Sequence, residues 1–163
     1  MTSAFVPYLV VTGGRDFGYV PPGVLAAAGP MRSRLIAKAK AQADAIRHAL
    51  HHLNPRVIIH GGATGMDTVC GEWGRKAGCD VRAFPVSREE WKAIGPSAGI
   101  KRNIRMDQVV GEMIGFGVRV EGLVAPGGKG TADMARRLRR RPMKVHDLAT
   151  VLKDSNYTRE DWL

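Results

Sequence analysis

Short apolar runs, each closed by glycine or proline and most followed by a helical spacing, recur along the chain. Tyr8-Leu9-Val10-Val11-Thr12 runs into Gly13-Gly14, and Val57-Ile58-Ile59-His60 runs into Gly61-Gly62. Asp80-Val81-Arg82-Ala83-Phe84 stops at Pro85, and Gly122-Leu123-Val124-Ala125 stops at Pro126-Gly127-Gly128. Apolar runs this short, bounded by turn residues and separated by helical patterns, predict parallel strands covered on both faces. Met143 to Val145, after Pro142, is a fifth candidate. Between the first two runs, Leu35, Ala39, Ala43, Ile46, Leu50 and Leu53 stand three or four apart. That is one face of an amphipathic helix, which Asn54-Pro55 ends. Further helices are predicted over about 66–77, 99–115 and 131–140. The alternation implies an α/β fold: a doubly wound, mainly parallel sheet with helices on both faces.

At 163 residues, the chain suits a single domain over 1–163, with a core of about 8–150 and a polar tail over 154–163. No repeat or linker divides it. Apolar residues at 44% and charged residues at 25% are globular values. No apolar run approaches the roughly 20 residues of a bilayer span, and the Met1 segment lacks a basic stretch before a long apolar one. Two cysteines, Cys70 and Cys79, are too few for a disulfide framework or a four-cysteine zinc site, so a reduced, cytoplasmic setting is expected and no membrane partner. Both cysteines read as buried small residues. The stretch from Phe17 to Pro30, with Pro21-Pro22 and Ala26-Ala27-Ala28, is a long connection, either a lid or an insertion. The tail, with its terminal Trp-Leu, either docks on the body or pairs with another copy in a homodimer or higher homo-oligomer.

The net charge of +10 changes the picture only once it is located. Arg136, Arg137, Arg139, Arg140, Arg141 and Lys144 fall within nine residues, and the rest of the chain carries +4. Such a cluster can contact phosphates of a nucleic acid. It can equally be a solvated helix end, where cations offset the negative end of the helix dipole. The second reading is favoured, because no aromatic residues are interleaved for base stacking.

Three strand ends carry Gly-Gly. Glycine permits positive φ and lets a ligand approach the backbone, and the following helix offers unpaired amides to an anion. In an open parallel sheet such turns meet where the strand order reverses. The expected ligand site therefore combines Gly13, Gly14 and Arg15 with Gly61, Gly62, Ala63, Thr64, Gly65 and Asp67. Gly127, Gly128, Lys129, Gly130 and Thr131 join it from the fourth turn. Arg15 suits a two-pronged contact with phosphate or carboxylate. Asp67 either caps its own helix or contacts a ribose. Gly95-Pro96 leads into another helix, whose early residues Arg102 and Asn103 are expected at the same sheet edge. None of these turns is a P-loop or a G-x-G-x-x-G fingerprint, so ATP hydrolysis and ordinary NAD chemistry have no motif behind them.

Together these residues resemble the SLOG superfamily of Rossmann-like nucleotide-binding proteins, and within it the cpYpsA-related, YspA-like branch. The likeness rests on Val11 to Arg15, His60 to Asp67, Trp91, Gly95-Pro96, Ala98-Gly99, Arg102-Asn103 and Pro126 to Met134. It implies a Rossmann-like sheet and a pocket for a nucleotide or nucleotide-derived ligand, with no cofactor required. More distantly the chain is similar to the LOG phosphoribohydrolases, which release a base from a cytokinin nucleotide, often as dimers. Their signature resembles P-G-G-x-G-T-x-x-E, with the glutamate implicated in cleavage. Met134 stands at that glutamate position here and can neither move a proton nor stabilise a ribosyl cation, so that chemistry does not carry over.

Three functions follow as expectations. The first is a nucleotide-binding sensor, carrier or sequestering protein. The second is a hydrolase of an N-glycosidic or phosphate-ester bond, with Asp133 or Asp67 as the acid–base group. The third is a nucleic-acid-binding module using Arg136 to Lys144. His48 and His52 stand at i, i+4 but have no glutamate between them and no third ligand, so no metal is expected. His60 reads as a structural hydrogen-bonding partner of its turn. Trp91 either walls the pocket or fills the core.

Overall fold

The computed structural model describes residues 5–26 and 29–163. Five strands, β1 (Tyr8–Thr12), β2 (Val57–His60), β3 (Asp80–Ala83), β4 (Val120–Val124) and β5 (Lys144–Asp147), form one sheet. All neighbours are parallel, in the order β3-β2-β1-β4-β5. The chain steps outward through β2 and β3, then crosses back to lay β4 on the other side of β1. The order therefore reverses between β1 and β4, and the crevice beyond their carboxyl ends is the ligand position of such sheets.

Among the described residues, seven helices complete the fold: α1 (Pro22–Ala26), α2 (Pro30–Leu53), α3 (Met66–Lys76), α4 (Arg88–Ile94), α5 (Ser97–Gly115), α6 (Lys129–Arg139) and α7 (Leu148–Asp154). Successive strand side chains point to opposite faces, so β1 and β2, covered on both, are apolar almost throughout. The edge strands β3 and β5 are largely exposed, which corrects the expectation that the run from Asp80 is covered on both faces: an edge strand has a neighbour on one side only and keeps Asp80 and Arg82 in solvent. Leu9, Val11, Ile58 and Leu123 pack with Ile46 and Leu50 of α2, Met66 of α3 and Leu148 of α7. Val10, Ile59 and Val120 face the other way, onto Met106 and Val110 of α5 and Met134 and Leu138 of α6. Each fully buried Leu, Ile or Met contributes roughly 1.5–3 kcal/mol, so these two clusters supply most of what holds the layers together.

Several boundaries differ from the sequence reading, each for a physical reason. β4 begins at Val120 rather than Gly122, because Glu121 lies buried inside it. Its carboxylate is answered by Arg119 at 2.7 Å and His146 at 2.8 Å. β5 covers Lys144–Asp147 instead of Met143 to Val145. α2 starts at Pro30, ahead of Leu35, since proline suits the first helical position. Leu35 stays 41% exposed on that overhanging turn. Neither α1 nor α7 was predicted. α7 is short, yet its Leu148, Val151 and Leu152 are buried, a helical i, i+3, i+4 set. Ala27 and Ala28 lie outside the described residues. The tail docks on the body: Trp162 is buried edge-on to Phe17, with ring centroids 6.4 Å apart, and its indole N–H donates to Arg159 O. No helix among the described residues is long and apolar enough to cross a membrane.

Candidate functional site

The strand ends at the switch point are stitched to one another. Gly14 N donates to Pro126 O at 2.8 Å, joining the turn after β1 to the turn after β4. Thr64 Oγ1 donates to Arg15 O at 2.9 Å and Met66 N donates to Gly14 O at 3.2 Å, joining the turn after β2 to the first. Gly65 makes this contact feasible. It has φ of 78°, and a Cβ there would run into the backbone of Gly14 and Arg15. Gly61 is bare for a different reason, because the Arg102 guanidinium lies against it and donates to its carbonyl.

A cavity of about 680 Å³ opens above these turns, a size that suits a small organic ligand. Of the expected site residues it is lined by Gly13, Gly14, Arg15, Gly61, Ala63 and Asp67 on one side. Arg102, Asn103, Gly128, Lys129, Gly130 and Thr131 line the other. Gly62, Thr64, Gly65 and Gly127 are not in its wall; they pack turn against turn behind it. Sequence reasoning did not assign Ile100, Met106 or Met134 to the site, because their helical spacing reads only as packing. Met134, 1% exposed, serves both the core and the cavity floor.

The amides divide unevenly. Those of Gly61 and Ala63 donate to Asp67 Oδ2 at 3.1 and 3.2 Å, and that of Gly62 donates to His60 Nδ1 at 2.9 Å. Three amides of the second turn are thus taken by the protein's own carboxylate and imidazole rather than left to a ligand, which corrects the expectation for Gly61, Gly62 and Ala63. Asp67 does not cap α3, whose N-cap is Gly65 with no side-chain cap bond. The fourth turn is different. No acceptor among the described residues takes the amides of Lys129, Gly130 and Thr131, which open α6 and have no intrahelical partner. A Cβ on Gly128 or Gly130 would meet nothing within 4 Å, so the approach to these amides is open. With the helix dipole behind them, they are the anion-accepting part of the site.

Asp67 is the titratable group of the cavity. Burial raises its carboxyl from 3.8 to about 6, against the opposing pull of the Ala63 amide, the Arg102 guanidinium, the Gly61 amide and Arg15. His60 is held below its usual range, first by burial and then by the fields of Arg75 and Arg102. Because its Nδ1 accepts from Gly62, the ring proton sits on Nε2, which is buried without a hydrogen-bond partner. The structural role expected for His60 is what the geometry supplies.

A hydrogen-bonded chain reaches the cavity from behind. Asp133 accepts from Arg136 at 2.7 Å, from Arg137 at 3.0 Å and from Asn103 at 3.0 Å. Asn103 also donates to Gly130 O, and its Oδ1 accepts from Arg102 Nε at 2.9 Å. Burial opposes the charge on Asp133, but hydrogen bonds from Arg137 and Asn103 and the two guanidiniums outweigh it and hold the carboxyl low. Asp133 is absent from the cavity wall. A low, triply bonded carboxylate behind the wall is a positioning group rather than an acid. The arginine cluster is largely consumed in the same way: besides these two pairs, Arg139 meets Asp147 at 2.9 Å and Arg141 meets Asp107 at 2.9 Å.

The remaining candidates resolve simply. His48 Nε2 is 2.9 Å from Ser155 Oγ, and its ring contacts Tyr157. No group of three or more His, Cys, Asp or Glu among the described residues is placed to hold a metal ion. Cys70 is buried, whereas Cys79 is half-buried with its thiol toward Pro55 O. The stretch after Phe17 lines a second, largely apolar cavity of about 550 Å³ with Trp162 and the start of α2. Comparison with protein-family models, curated proteins and solved structures found no match.

Proposed function

We propose that the protein binds a nucleotide or nucleotide-derived small molecule at the carboxyl edge of its sheet, as a sensor, carrier or sequestering protein of the SLOG type. One observation carries this reading: unpaired α6 amides, Lys129, Arg15 and Arg102 share a single cavity at the β1/β4 switch point. The amides and cations take the phosphate, while Asp67, with Oδ1 outside its two backbone hydrogen bonds, is available to a ribose hydroxyl. The reading carries a reduced cytoplasmic setting, in keeping with the free thiols of Cys70 and Cys79, and allows a homo-oligomer. Mono- and dinucleotides, cyclic nucleotides and ADP-ribose, screened by melting shift and calorimetry, test it. A true ligand raises stability by about 2.7 kcal/mol at a hundredfold excess over Kd. No response to any of them at millimolar concentration would remove the reading.

A hydrolase is the second reading, and Asp67 favours it. A carboxyl titrating at about 6 inside a ligand cavity can exchange a proton near neutral pH. Product analysis after long incubation separates turnover from binding, and turnover that survives Asp67→Asn would rule out this residue's part in it.

A further inference from the structure

We infer that the ligand carries a planar aromatic ring beside its anion and that Trp91, with the Arg15 guanidinium over its ring, forms the residue pair that selects for it; the inference rests on the anion-binding reading above. Trp91 lies on α4, lines the cavity and is 40% exposed. It belongs to neither core cluster, so packing does not account for it. The Arg15 guanidinium lies over its ring, 4.9 Å from the centroid. Indole and guanidinium are both flat, and a base can stack on either: on the Arg15 plane, or on the indole once a bound anion draws Arg15 aside.

Of the cavity wall, Pro96, Ile100, Met106 and Met134 offer flat or apolar contact without hydrogen bonds to a ring edge, whereas Thr12, Asp16 and Ser97 carry polar side chains. The Asn103 side chain is committed to Gly130, Asp133 and Arg102. Recognition of a particular base needs donors and acceptors facing its edge, whereas stacking accepts any flat ring. The Trp91 and Arg15 pair therefore distinguishes ring-bearing phosphates from bare sugar phosphates, whichever base the ring belongs to.

Calorimetry with AMP, UMP and ribose 5-phosphate on the intact protein, Trp91→Phe and Trp91→Ala tests this. In the intact protein AMP should bind about tenfold to a hundredfold more tightly than ribose 5-phosphate, the range that one stacked base supplies. Trp91→Ala should shrink that ratio to near unity, while Trp91→Phe keeps most of it, and UMP should outbind ribose 5-phosphate with the same dependence on the ring. Should Trp91→Ala fail to fold, Trp91→Leu, apolar but ringless, replaces it with the same expectation. Ribose 5-phosphate binding as tightly as AMP, or a ratio that survives loss of the ring, overturns the inference and leaves anion binding standing. Binding of none of the three at millimolar concentration overturns it together with the reading beneath it.

Discussion

Asp67 shows how one side chain couples the turn, stability and pH. Its carboxylate holds two amides of the second turn, yet burial makes the charged form costly. Between pH 3.8 and about 6 the folded protein retains a proton that the unfolded chain has released. Stability falls as pH rises through that window, and the full cost, up to about 3 kcal/mol, is present above it. Asp67→Asn keeps an oxygen for the amides and carries no charge. It should therefore gain stability relative to the native chain between about pH 4 and pH 7.5 in urea denaturation. A difference that stays flat with pH would show that Asp67 is not held in this way. Anion binding should follow the same group: sulfate, whose charge is constant over this range, should bind more tightly as pH falls and Asp67 is neutralised. In Asp67→Asn that dependence should vanish.

Helix α6 has two ends with opposite tasks. Its first turn presents amides to the cavity, while Arg136, Arg137 and Arg139 near its end are paired with Asp133 and Asp147. Gly130, in that first turn, has open space where a Cβ would stand. Gly130→Ala should leave stability unchanged or raise it by as much as about 1 kcal/mol, because alanine favours a helix, yet it should weaken phosphate binding by narrowing the approach. Gly65→Ala should do the reverse of stabilising. There the positive φ and the adjoining backbone leave no room, and a loss of about 2 kcal/mol or more is expected in thermal or urea unfolding. Equal stability for the two variants would contradict the division between packing and ligand-facing glycines. The cluster on α6 also explains why a sequence reading overstates its charge: Asp133 answers from within the helix, Asp147 from β5 and Asp107 from α5, 34 residues before Arg141.

Across the molecule, one sheet carries two unlike layers, and the tail closes one of them. Trp162 buries its ring against Phe17, on the stretch that follows the first glycine turn, and Arg159 reaches Asp44 of α2. Trp162→Ala should cost about 3 kcal/mol, the scale of removing a buried aromatic ring, measured by urea unfolding. A loss below about 0.5 kcal/mol, the level of an ordinary surface change, would mean that the tail is not docked in solution.

The periodicities of the chain were enough for the strands β1 and β2, the long helices and the layer class, because strands covered twice must be apolar almost throughout and helices covered once must be striped; β3, an exposed edge strand, was legible from the turn at Pro85 that closes it. The residues of the cavity were largely legible too, since turns that leave parallel strands can only meet at one sheet edge. What the linear pattern could not carry was which amides remained free. Asp67 and His60 occupy the second turn, whereas the α6 amides stay open, and that depends on side chains folding back over a few ångströms. Nor could it show the buried Glu121 inside β4, the docking of Trp162, or the pairing of the basic cluster. Each of these depends on at least one partner distant in sequence, His146 for Glu121, Phe17 for Trp162 and Asp107 for Arg141, and only the closed fold brings such partners within hydrogen-bonding or van der Waals reach.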